Sequence, residues 1–126
     1  MKKIIFTEKA PAPIGPYSQA VLSGDTLYVS GQIPLNPESG ELVMASIEEQ
    51  TQQVMENLKS VLLQAEMAFD NVVKATIFIT DMNDFAKINS VYGSYFTESN
   101  APARETVQVS KLPKNVNVEI SVIAVK

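Results

Sequence analysis

The chain closes on Val116-Asn-Val-Glu-Ile-Ser-Val-Ile-Ala-Val125, with an apolar side chain at positions 116, 118, 120, 122 and 124. Successive side chains of a strand point to opposite faces, so this segment demands a sheet with one face wholly buried. Such a face must be covered by another layer, and two helical stripes upstream supply it. Ser46 followed by Glu49 has the form of a capping box, after which Ile47, Thr51, Val54, Met55, Leu58, Val61, Leu62 and Ala65 recur at spacings of three and four. A second stripe of Phe85, Ile88, Tyr92, Tyr95 and Phe96 predicts a helix from about Asp84 to Glu98.

The remaining segments read as strands. Ile4 to Thr7 is a short first one, followed by Ala10-Pro-Ala-Pro-Ile-Gly-Pro16, where three prolines forbid both a helix and a central strand. Ser18 to Leu22 and Thr26 to Ser30 form a hairpin across Ser23-Gly24-Asp25, and Asn36 to Glu41 is a loop. Val72 to Thr80 carries Val73, Ala75, Ile77 and Ile79 on its apolar face, and Arg104 to Ser110 precedes the final strand across Leu112-Pro-Lys-Asn115. The order predicts an α+β fold, a single domain over residues 1–126 with two helices on one face of a sheet.

Composition narrows the chemistry. The chain has one arginine, Arg104, and no histidine, cysteine or tryptophan, which removes histidine-assisted nucleophiles, thiolates and zinc sites built on His or Cys. Hydrophobic residues at 45% and charged residues at 19% argue for a folded chain over a disordered one. A net charge of −4 without basic runs argues against nucleic acid as a partner. No apolar run reaches the roughly 18 residues of a membrane span, and Met1-Lys-Lys-Ile-Ile-Phe-Thr-Glu8 has too short an apolar stretch for a signal peptide. Without cysteine, a reducing cytoplasm is the expected location.

The second sheet face is half apolar, with Val72, Phe78, Ile123 and Val125 among Thr76, Thr80, Asn117 and Ser121. A face of this kind suits a partner sheet, most simply another copy of the chain, although scattered apolar surface is also common. Glu119 lies in the middle of it. If the last two strands form a hairpin, positions near 106 and 107 fall opposite 119, and Arg104 and Glu119 share one cavity. There they either serve a ligand, Arg104 gripping an anion and Glu119 holding a water, or form a plain cross-strand salt bridge.

Other residues have equally ordinary alternatives. Tyr17, presented by Gly15-Pro16, is either a ligand wall or packing; Ser30-Gly31 is either a close approach to a ligand or a turn. Asn89 is a cleft-edge residue or a solvated helix position, and Asp81 and Asp84 are better explained as helix caps than as metal ligands.

Ile14-Gly-Pro-Tyr-Ser-Gln19, Val29-Ser-Gly-Gln-Ile-Pro34, Asn89-Ser-Val-Tyr92, Ala101-Pro-Ala-Arg-Glu-Thr-Val107, Leu112-Pro113 and Val118-Glu-Ile120 together resemble, in order and spacing, the RidA (YjgF) family. The resemblance runs from the first strand to the last. It implies a chorismate-mutase-like fold of ferredoxin-like ββαβαββ type, a homotrimer, and clefts between adjacent subunits. It also implies hydrolysis of reactive 2-enamine and 2-imino acids, such as 2-aminoacrylate and 2-aminocrotonate, to 2-oxo acids and ammonia, with neither cofactor nor metal.

Carried over to matching positions, the resemblance makes Arg104 the carboxylate anchor and Glu119 the water activator. Tyr17, Ser30 and Gly31 line the cleft, Asn89 lies at its edge, and Thr106 stands where the family often has cysteine, its carbonyl helping to hold the water. Glu105 departs from the family's usual small residue beside the arginine, and strand alternation predicts that it points away. Two rival functions stand beside the enzyme: a non-catalytic regulatory trimer that binds small carboxylates, and a nucleic-acid-directed role that the charge disfavours.

Overall fold

The computed structural model describes the whole chain, Met1–Lys126. Its six strands are β1 (Lys2–Ile5), β2 (Ala20–Ser23), β3 (Thr26–Gln32), β4 (Val72–Ile79), β5 (Ala103–Gln108) and β6 (Val118–Val125); its two α-helices are α1 (Ile47–Gln64) and α2 (Phe85–Gly93). The strands form one sheet in the order β1-β2-β3-β6-β4-β5, antiparallel throughout except for the parallel pair β4 and β5. No helix is long and apolar enough to cross a membrane.

Local chemistry sets the elements where expected, with shifted ends in the first two strands: β1 covers Lys2–Ile5 rather than Ile4 to Thr7, and β2 begins at Ala20 rather than Ser18. Ser23 pairs with Thr26, leaving Gly24-Asp25 as the turn, and Gly24 takes the positive φ of 60° that a two-residue hairpin turn requires. Ser46 caps α1 by accepting the Glu49 N–H at 3.1 Å. The α1 stripe, including Val54, Leu58, Val61 and Leu62, is wholly buried against the even-numbered residues of β6, and Ile88 and Tyr92 of α2 join the same core. Both helices therefore cover one face of the sheet.

Three further expectations are corrected. The second helix stops at Gly93 rather than running to Glu98, and Tyr95 and Phe96 instead turn back to stack on Phe69 at 5.3 Å each. Within β4, Val72 pairs with Ala124 and Lys74 with Ile123, so Val73 is bulged out of register. The bulge reverses the two valines: Val72 enters the core and Val73 is half exposed.

The third correction bears on function. β5 and β6 are not a hairpin, because β4 lies between them. Helix α2 carries the chain from β4 to β5, and a helical crossover delivers the next strand parallel to the first. β6 then enters between β3 and β4, the central position for a strand with one face wholly buried. Glu119 pairs with Phe78, and it is Phe78 that pairs with Val107.

Candidate functional site

Arg104 pairs with the buried Ala75 of β4, so its side chain leaves the sheet on the helix-covered face. There its guanidinium carbon lies 5.0 Å from the Tyr92 ring centre and 5.7 Å from that of Phe85, both on α2. Such cation–π contacts hold a guanidinium without using its N–H groups. No side chain of the chain hydrogen-bonds to the Arg104 head, and the one salt bridge lies elsewhere. Its fork of donors is thus free for a planar anion.

Thr106 follows on the same face, and its Oγ1 is buried without a hydrogen-bond partner. The Tyr92 hydroxyl is buried and unpartnered as well. Burial pushes the Tyr92 hydroxyl pKa up, with the nearby Arg104 charge opposing it. Asn89 is half-buried and stands on the α2 stripe shared by Phe85 and Tyr92, the two rings that hold Arg104. Glu105 points to the opposite face, as alternation predicts. Its carboxylate meets Lys74 Nζ at 2.9 Å and accepts from Thr76 Oγ1 at 3.0 Å, and these bonds, Lys74 foremost, hold it below the usual carboxylate range. Glu105 therefore does not compete for Arg104.

Glu119 lies on the face without helices, half-buried, and no side chain or backbone group bonds its carboxyl. Burial raises its pKa above the ordinary carboxylate value. Beside it the end of β3 is irregular: Val29 pairs with Val122 but Gln32 pairs with Ile120, so Ser30 and Gly31 form a bulge. Ser30 is fixed by donating its hydroxyl to the Ser18 carbonyl at 2.6 Å and its N–H to the Gln19 carbonyl at 2.9 Å. Tyr17 and Gly31 line one small pocket of about 20 Å³, with room for about one water. The Tyr17 hydroxyl accepts the Ile14 N–H at 3.2 Å.

The structure thus groups the sequence-selected residues into two half-sites. Arg104, Thr106 and Asn89 stand on the helix face; Glu119, Ser30, Gly31 and Tyr17 stand on or around the open one. The expectation that Arg104 and Glu119 share a cavity within one chain is overturned, and so is the salt bridge between them. The open face also carries Ile4, Tyr28, Val107 and Val125, all exposed, with Phe78 and Ile123 half-buried.

Sequence reasoning missed Phe85 and Tyr92 as the rings under Arg104, although both belonged to the α2 stripe. It also missed Gln19, whose buried amide ties down the proline-rich loop. Gln19 accepts from the Thr7 N–H at 2.8 Å and donates to the carbonyls of Thr7 at 3.0 Å and Pro11 at 2.9 Å.

The chain and its fold have close counterparts among known proteins. The family model for endoribonuclease L-PSP matches residues 7–126. A RutC family protein of Pyrococcus horikoshii is 54% identical over 126 residues, covering 100% of this chain and 99% of that protein. The 2-iminobutanoate/2-iminopropanoate deaminase of Bos taurus is 50% identical over 126 residues, covering 100% of this chain and 91% of that one. The solved structure of a Rid family protein from Yersinia pestis superposes with a TM-score of 0.97 at 52% identity, covering 100% of both chains.

Proposed function

We propose that the chain, which belongs to the endoribonuclease L-PSP (RidA) family, hydrolyses reactive 2-enamine and 2-imino acids to 2-oxo acids and ammonia. The observation that carries this reading is the setting of Glu119, a half-buried carboxyl without a hydrogen-bond partner, whose pKa burial raises above the ordinary carboxylate value. The likeness to a 2-iminobutanoate/2-iminopropanoate deaminase over the full chain supports it.

Substrates of this class, 2-aminoacrylate and 2-aminocrotonate among them, tautomerise to imines already electrophilic at C2. A water adds there. Its proton passes to the Glu119 carboxylate, and its oxygen becomes the carbinolamine hydroxyl. The same carboxyl returns that proton to the imine nitrogen to give the neutral carbinolamine. It then takes the hydroxyl proton and passes it to the amino group, so that ammonia leaves with the C–N electron pair as the O–H pair becomes the second C–O bond of the 2-oxo group. Proton transfer of this kind contributes about 10²–10⁴-fold. Arg104 fixes the substrate carboxylate through two charge-assisted hydrogen bonds, each worth about 1.5–3 kcal/mol.

Because the two groups leave opposite faces of one sheet, the site is completed between copies: Glu119 of one subunit works beside the partner subunit's Arg104. A homotrimer built on the open face closes three such clefts. Tyr17, Ser30 and Gly31 wall the Glu119 side, and Thr106 and Asn89 the Arg104 side. The single arginine and the net charge of −4 leave nucleic acid without a binding footprint.

The test measures ammonia and 2-oxo acid release from 2-aminoacrylate generated in situ by a serine dehydratase. The wild type accelerates release and Glu119→Gln loses about 10²-fold or more. If both match the uncatalysed rate, hydrolysis is refuted and a carboxylate-binding regulatory trimer takes its place.

A further inference from the structure

We infer that Gly31 is a positioning residue for Glu119: the space left by its missing side chain is the space the Glu119 carboxyl occupies. An ideal Cβ built on Gly31 lies 2.8 Å from Glu119 Cδ, 2.9 Å from Cγ and 2.9 Å from Oε2. Non-bonded carbons prefer about 3.5–4.0 Å, so a methyl group and the present position of the carboxyl are mutually exclusive.

Backbone freedom does not explain this glycine. The positive-φ glycines are Gly24 and Gly40, and Gly31 lies in β3 with a conformation open to any residue. The bulge at Ser30-Gly31 sets the Gly31 backbone against Glu119, and no hydrogen bond or ion pair holds the carboxyl in its place. On the same face, β3 presents Tyr28 and Ser30, and β4 presents Thr76 and Phe78. The charged groups of that face nearby in the sheet, Lys74 on β4 and Glu105 on β5, are paired with one another at 2.9 Å. Contact with the Gly31 backbone therefore both aims the carboxyl and shields it from water. This inference rests on Glu119 being the water activator.

The atoms that collide with a new Cβ are the end of a flexible side chain, so alanine at 31 is met by rotation of Glu119 and the fold is retained. Two measurements test this in the assembled protein. In the first, the Glu119 carboxyl carbon is titrated by ¹³C NMR in wild type and Gly31→Ala; in the variant it titrates at lower pH, nearer an ordinary glutamate. In the second, imine hydrolysis is followed in wild type, Gly31→Ala and Gly31→Ala/Glu119→Asp. Gly31→Ala lowers kcat by about 10²-fold with KM little changed, and the shorter aspartate, drawn back by one methylene, restores about ten-fold.

Identical Glu119 titration in both proteins overturns the positioning role. So does an equal loss from Gly31→Ala in a Glu119→Gln background, and so does failure of Gly31→Ala to fold. A wild type without imine hydrolysis refutes the deaminase reading instead, and the titration still decides where the carboxyl sits.

Discussion

Arg104→Ala and Glu119→Gln damage different half-sites, so subunits carrying one change each should repair one another. The Arg104 side chain makes no hydrogen bond inside its own chain, so on the proposed reading its replacement by alanine removes two charge-assisted bonds to the substrate, about 3–6 kcal/mol together. At about 1.4 kcal/mol per decade, kcat/KM falls about 10²–10⁴-fold. Stability moves by about 1–2 kcal/mol, the worth of two partly exposed cation–π contacts. Each variant is then nearly inactive alone. Unfolded together in urea and refolded as a 1:1 mixture, they assemble at random. A cleft that takes Arg104 from the Glu119→Gln chain and Glu119 from the Arg104→Ala chain is intact, and about one cleft in four has this composition. The mixture therefore recovers about a quarter of wild-type ammonia release from in situ 2-aminoacrylate, while each variant refolded alone recovers about a hundredth or less. Mixtures no more active than their separate components would falsify the shared cleft, because a site built within one chain cannot be complemented.

Burial raises the Glu119 pKa, so folding favours the protonated form. The associated stability is full below the unfolded-state pKa of about 4.3 and is lost as pH rises through the folded value. Glu119→Gln should accordingly melt above wild type at pH 7, with the difference closing on acidification; equal melting temperatures at pH 7 contradict this. Leu58 is wholly buried between α1 and the sheet, and Leu58→Ala should cost about 2–5 kcal/mol in urea denaturation. Ser46→Ala removes the cap of α1 and should cost about 0.5–2 kcal/mol by the same assay.

The half-sites and the family were legible to very different depths. The motifs around Tyr17, Ser30, Arg104 and Glu119 were read directly, because each is a local string of residue types. The outward turn of Glu105 followed from period-two alternation alone, and Lys74 and Thr76 do meet it there. The rings beneath Arg104 were hidden within an apolar stripe, since helical spacing separates a buried face from a wet one but does not say which strand residue lies across from it.

Periodicity and capping thus determined, without any structure, α1, the start of α2, the β2–β3 hairpin and the buried face of β6. These are short-range consequences of side-chain direction and backbone satisfaction. Tertiary structure alone decided three things: that β4 stands between β5 and β6, that bulges at Val73 and at Ser30-Gly31 shift the register, and that Arg104 and Glu119 leave opposite faces. The reason is physical. Strand order depends on which edges find each other after α2 has crossed over, and a bulge displaces one residue in a ladder that local sequence matches equally well in either register.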